Sequence, residues 1–140
     1  MIGLDTNILA RYYSAAGSTD DAATAQQCEA SRRLIDSGKR LMVSQTVVLE
    51  LEWVLRGRYK VTSDDIQAVF LHLLSLSHVE IEDRVAVQFA VDALGLGFDF
   101  ADALHHSAYR ICSSIATFDD KGFARRAKKA ALKPTVKLLQ

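Results

Sequence analysis

Four carboxylates stand at positions that invite chemistry: Asp5, Glu50, Asp102 and Asp119. The first stands in the stretch "LDTNIL", where an apolar opening delivers an aspartate, a threonine and an asparagine together. A helix cap would account for one polar residue, not three. Oxygen donors brought together without cysteine or paired histidine suit a hard cation such as Mg²⁺ or Mn²⁺, which keeps several waters and favours carboxylates. The cation also removes the repulsion that would otherwise raise the pKa values of clustered acids.

Each acid also has a plainer use. Asp5 can form an Asx turn or cap at a strand end. Asp99 and Asp102 occupy N-cap and N3 positions of a helix, where acids satisfy amides and complement the dipole. Glu50 and Glu52 lie on opposite flanks of the apolar stripe Val47, Val48, Leu51, Val54 and Leu55, so periodicity does not choose between them. Glu52 has Arg56 four residues on, an ordinary surface pair, whereas Glu50 has Val54 there and no cation to answer it. That favours Glu50 as the acid paired elsewhere. "IATFDD" offers Thr117, Asp119 and Asp120, of which Asp119 is preferred for the site and Asp120 for capping a helix from near Lys121.

The elements that must position these residues follow from apolar period and turn chemistry. Ile2 to Leu4 read as a buried strand, with Thr6 or Asn7 capping a helix through Ile8, Leu9 and Tyr12. "SAAGSTDD" is a loop; Ala22 to Ile35 are helical and end at "SGKR". Leu41 to Val43 give a second strand, Ser44 or Thr46 starts a helix over Val47 to Leu55, and Ser63 caps the next. His78 to Ile81 are a third strand, Val85 to Leu94 a helix broken by "GLGF", and Asp99 opens a helix through about Tyr109. Ile111 to Thr117 make a fourth strand, Lys121 to Ala131 a helix, and Thr135 to Leu138, after the only proline, a last strand. Alternating strands and helices imply an α/β fold with a parallel sheet covered on both faces. Ligands of such sheets sit beyond the carboxyl ends of the strands, where Asp5 and Asp119 fall.

At 140 residues and 49% hydrophobic the chain reads as one compact soluble domain over residues 1–140. Net charge is zero, so attraction of the whole molecule to a polyanion is not its organising feature, although the C-terminal stretch from Lys121 to Lys137 is locally basic. Cys28 and Cys112 lack CxxC spacing and read as reduced, partly buried thiols of a cytoplasmic protein. No apolar run approaches the roughly 18 residues of a membrane span, and no basic segment followed by an apolar one opens the chain, so neither a membrane nor export is expected.

"IGLDTNIL", "VSQTVVLELEWVL", "GFDFADALH" and "ATFDDKGF", in that order from Ile2 to about Phe123, together resemble the PIN-domain ribonucleases, most closely the VapC toxins of bacterial toxin–antitoxin operons. The resemblance implies a PIN-like α/β/α sandwich with a central, mostly parallel sheet of four to five short strands flanked by helices. It matches Asp5, Glu50, Asp102 and Asp119 to the family's catalytic metal-binding quartet, Asn7 and Thr117 to polar support residues, and Asp99 to an additional acid. It implies a metal-dependent endoribonuclease using Mg²⁺ or Mn²⁺, with an RNA substrate, a cognate antitoxin protein and a homodimer, and with operator DNA bound only through the antitoxin.

Phosphate contacts outside an acidic pocket could come from "RGRYK", with Arg56, Arg58 and Lys60, or from the basic C-terminal helix. The same residues also serve as dipole-stabilising, solvated charges. His105 or His106 could face the site, but the chain has no HxxxH spacing for a two-histidine metal centre. Trp53, Phe89 and Phe98 are assigned to the core. Two other functions compete: a catalytically inactive PIN-like RNA- or protein-binding module, which loss of a quartet acid would favour, and an aspartyl-phosphate hydrolase. The latter needs DxD, and Asn7 stands where its second Asp should be.

Overall fold

The computed structural model describes residues 1–14 and 21–140; the loop expected from Ser14 to Asp21 falls mostly outside them. The fold is α/β, with five short strands, all paired in parallel, and seven helices among the described residues. The chain divides into two compact units, Met1–Glu82 and Asp83–Gln140.

The first unit contains β1 (Ile2–Gly3), α1 (Thr6–Tyr13), α2 (Ala22–Ile35), β2 (Leu41–Val43), α3 (Gln45–Gly57), α4 (Ser63–Ser75) and β3 (Val79–Ile81). Its sheet runs in the order β1-β2-β3, with Leu41 opposite Ile2 on one side and Val79 on the other. Leu41, Val43, Val79 and Ile81 are buried, as β-branched and leucine runs in a parallel sheet should be. Leu51, Leu55, Ile66 and Phe70 bury the apolar stripes of α3 and α4, and little or none of each is left exposed.

Several sequence expectations need correction here. The buried opening strand is reduced to two exposed residues, and Leu4 alone of that run is buried. The cap of α1 is Asp5, the plainer use read for it from sequence, and not Thr6 or Asn7; the cap of α4 is Thr62, not Ser63. In both cases the extended backbone falls one residue earlier than composition indicated. Ser44 does cap α3, and Asp21 caps α2. Trp53 is not core: two-thirds of it is exposed, because α3 turns Thr46, Glu50, Trp53 and Gly57 outward at helical spacing.

The second unit contains α5 (Arg84–Gly95), α6 (Phe100–Ala108), β4 (Ser114–Thr117), α7 (Phe123–Lys129) and β5 (Thr135–Leu138). β4 and β5 pair in parallel from Ser114↔Thr135 to Thr117↔Leu138. Alanines 86, 90, 93 and 103 are buried where α5 and α6 pack, and side chains this small let the helix backbones approach closely. Asp83, in the left-handed region at φ 49°, accepts from the Ala86 amide and from Arg110 at 2.8 and 3.1 Å. The Arg110 guanidinium holds the Asp83 carboxyl below its ordinary pKa.

β4 starts three residues later than the apolar run predicts. Cys112 donates its amide to the Tyr109 carbonyl in a turn, leaving Ile111 and Cys112 exposed and Cys112 a free thiol rather than a partly buried one. Cys28 is buried, while Phe89 and Phe98 are half-buried. No helix of the described residues is long and apolar enough to cross a membrane.

Candidate functional site

In the first unit, the Leu4 amide donates to the Met42 carbonyl at 2.9 Å, closing the β1–β2 ladder just before Asp5. Asp5 then turns the chain into α1, its Oδ1 accepting from the Thr6 amide at 2.8 Å. Thr6 is buried, and its hydroxyl donates to Glu50 Oε1 on α3. The three polar residues of "DTN" therefore divide their work. Asp5 starts the helix, Thr6 anchors the Glu50 carboxylate, and Asn7 is exposed along a groove with Ile8, Arg11 and Gln27.

Thr6 is the residue that sequence reasoning missed. The only sign of it was an unexplained polar cluster, since its partner lies 44 residues away. The two glutamates of α3 separate as the helical wheel proposed. Glu50 is exposed and bound to Thr6, whereas Glu52 pairs with Arg56 at 2.8 and 3.3 Å. The expectation of an ordinary surface pair is corrected, because Glu52 is only 2% exposed and buries its carboxylate beneath the Arg56 guanidinium.

In the second unit, Asp99 caps α6 by accepting the Asp102 amide at 3.0 Å, the N-cap and N3 relation expected from sequence. Thr117 ends β4 and its Oγ1 accepts the Asp119 amide at 3.0 Å. Asp119 Oδ1 in turn accepts the Gly122 amide at 3.0 Å. The helix-start role given to Asp120 is thus corrected. Asp119 makes that turn, and α7 itself has no side-chain cap. A Cβ on Gly122 would lie 2.5 Å from Asp119 Oδ2, so the carboxylate can fold over the turn only because residue 122 is glycine.

Asp102, Thr117 and Asp119 line a single cavity of about 320 Å³, together with His105, His106, Tyr109, Phe123 and apolar residues of β4 and β5. Burial raises the Asp102 carboxyl above its ordinary pKa; the Asp99 charge adds to this, His105 opposes it, and Asp119 adds further. Within each unit, among the described residues, no group of three or more His, Cys, Asp or Glu side chains is gathered as a ready metal cage.

The structure thus brings Asp102, Asp119 and Thr117 to one cavity of the second unit, with Asp99 bracing the helix that carries Asp102. It brings Asp5 and Glu50 to opposite ends of Thr6 in the first. Arg56 is engaged by Glu52, and the Arg58 guanidinium lies 5.8 Å from the Tyr59 ring centre. Lys60 takes a left-handed backbone at φ 55°.

No match was found among curated proteins or among solved structures. The family model for the PIN domain matches residues 2–129, nearly the whole chain and every one of these acids, and the chain belongs to the PIN domain family.

Proposed function

We propose that this chain is a metal-dependent endoribonuclease and the VapC-type toxin of a toxin–antitoxin pair, cutting RNA phosphodiester bonds to inhibit translation and growth. The observation that carries the reading is the cavity of the second unit, where two family acids stand together and one of them is pushed toward its neutral form by burial and like charge. Such a site is poorly suited to hold unaccompanied anions and well suited to a cation.

The donor set fits a hard divalent ion. Asp102 and Asp119 offer carboxylate oxygens, one of Asp119's being taken by the Gly122 amide, and the neighbouring Thr117 contributes oxygen rather than sulfur. Asp5, Glu50, Asp102 and Asp119 would hold Mg²⁺ or Mn²⁺. Bound there, the ion would polarise the scissile phosphate and lower the pKa of the attacking water. The protein's own part is positioning. Thr6 fixes Glu50, Thr117 and Gly122 fix Asp119, and Asp99 fixes the first turn of α6 beneath Asp102. Asn7 is proposed to support bound water. On this reading residues 1–140 act as a single PIN domain in the cytoplasm, as a homodimer, silenced by a cognate antitoxin that alone contacts operator DNA.

The test is cleavage of labelled total RNA by purified protein with Mg²⁺, Mn²⁺ or chelator, beside an Asp5→Asn variant. Asparagine is the appropriate replacement because it keeps the cap of α1 while removing the charge. Metal-dependent cutting that falls at least about 100-fold in Asp5→Asn is the expected result. Equal cutting in chelator would sink the mechanism. Binding of RNA without cutting under any metal would instead identify an inactive PIN-like module.

A further inference from the structure

Thr117 and Asp119 both line the cavity of the second unit, while Phe118 between them does not. Phe118 is 79% exposed, the most open aromatic ring among the described residues. A phenyl ring left in water forgoes most of the stabilisation that burial brings, and the turn that presents it is braced on both sides. The Thr117 carbonyl accepts the Leu139 amide at 2.8 Å, the Thr117 hydroxyl accepts the Asp119 amide at 3.0 Å, and Asp119 Oδ1 accepts the Gly122 amide at 3.0 Å. The first of these bonds carries the β4–β5 ladder one residue past Thr117, so Leu139, itself half-exposed, comes level with Phe118. Exposed Lys137 stands opposite Ala116 in the same ladder, and exposed Lys121 follows Phe118 by three residues.

We propose that Phe118 is the stacking platform for one unpaired base of the substrate RNA and seats the strand beside the cavity. The inference rests on the ribonuclease reading and names how its substrate is held. A ring fixed in place before binding loses little freedom on contact, which is where an exposed aromatic contributes most to affinity. Every base has a π-face, so the contact selects single-stranded or loop RNA without choosing a base. Lys121 and Lys137 supply positive charge for the phosphates of neighbouring nucleotides. Adjacent Cα atoms are about 3.8 Å apart, so a strand held on Phe118 runs directly past Thr117 and Asp119, where the cleavage reading seats the metal. A protein partner resting on the same ring would have to cover exposed Asp119 and Asp120 and strip water from both, whereas one stacked base leaves them hydrated.

The full-length chain, in chelator, is titrated with a fluorescently labelled single-stranded oligoribonucleotide and with an abasic oligomer of equal length, which keeps the phosphates but lacks the bases. Phe118→Ala should weaken binding of the first roughly tenfold and leave the second unchanged. The dependence of affinity on salt should not move, because no charge is removed. Phe118→Tyr, which keeps a stacking ring, should bind as the wild type does. Irradiating the wild-type chain with an iodouridine-containing oligomer gives a reading that needs no variant, since the crosslink should map to the peptide that holds Phe118. Absence of base-dependent binding by the wild type, an affinity unchanged in Phe118→Ala, equal losses for the two oligomers, or a crosslink at Trp53 in place of Phe118 would each overturn the proposal. So would a homodimer that dissociates in Phe118→Ala while RNA affinity stays the same, which would give the ring to a protein contact. Because no metal and no cutting are involved, the two readings can fail separately. A chain that cleaves RNA without using Phe118 sinks only this one, and a chain that holds RNA through Phe118 but cuts nothing under any metal sinks only the nuclease.

Discussion

Asp102 shows how a residue suited to a site is poorly suited to folding. Burial and the charges of Asp99 and Asp119 raise its carboxyl pKa, with His105 offsetting part of the effect. The folded state therefore binds that proton more tightly than the unfolded chain does, and stability falls as pH rises from the unfolded value of 3.8 through the folded one. The penalty is absent below that window and complete above it. Asp102→Asn should accordingly raise the melting temperature at neutral pH, and the gain should close as the pH is lowered toward the carboxylate's ordinary range. Mg²⁺ or Mn²⁺ should stabilise the wild type more than the variant, since an ion that binds only the folded state shifts the equilibrium by mass action. A variant that melts below wild type at neutral pH would show that Asp102 is held by favourable contacts instead. The Thr6–Glu50 pair orients an exposed carboxylate through a buried hydroxyl, a contact that secures its position.

At the scale of the element, α3 sorts two glutamates two residues apart onto opposite tasks. Helical geometry turns consecutive even positions about 200° apart, so when one acid faces Thr6 the other must turn away. Glu52 is the one turned inward, which makes Arg56 a structural partner. Arg56→Ala should cost about 2 kcal/mol in chemical denaturation by stranding a buried carboxylate. Arg58→Ala, removing an exposed cation, should change stability by less than about 0.5 kcal/mol. Equal effects at the two positions would mean that Glu52 finds other support. The same helix shows what could be read from sequence. Its existence, its start at Ser44 or Thr46 and its apolar stripe were legible because each is a local pattern, as were the order of the other elements and the Asp99–Asp102 capping pair. The depth of Glu52 was not, because burial is decided by neighbouring elements. Nor was the cap at Thr62, or the choice of Asp5 over Thr6 and Asn7 at α1, where adjacent residues of equal capping ability are separated only by backbone angles. The cluster of Asp102, Thr117 and Asp119 could be named from sequence but not assembled, and Thr6 escaped because its bond crosses 44 positions.

For the whole molecule, zero net charge conceals an uneven distribution. Residues 1–82 carry 8 Lys and Arg against 11 Asp and Glu, a formal −3, while residues 83–140 carry 9 against 6, a formal +3. The excess cations of the second unit are concentrated on α7 and its flanks, where Arg125, Lys128 and Lys129 are exposed. A polyanion is attracted by local field, so neutrality overall does not prevent RNA binding; it makes binding depend on which face is presented. Near the C-terminus of a helix these lysines also complement the dipole, and neutral glutamine tests their phosphate role without adding repulsion. In chelator, the double substitution Lys128→Gln and Lys129→Gln should weaken binding of a single-stranded oligoribonucleotide. It should also flatten the dependence of log affinity on log salt by about 0.7 for each phosphate no longer neutralised, or about 1.4 for two. Neutralising Arg58 and Lys60 in the same assay compares the other basic stretch directly. If α7 guides the RNA, the first pair should change both affinity and salt slope more than the second. The reverse order would move the phosphate-binding surface to the end of α3, beside exposed Trp53. An unchanged slope in both would mean that neither basic stretch neutralises RNA phosphates, with the positive surface serving solubility alone.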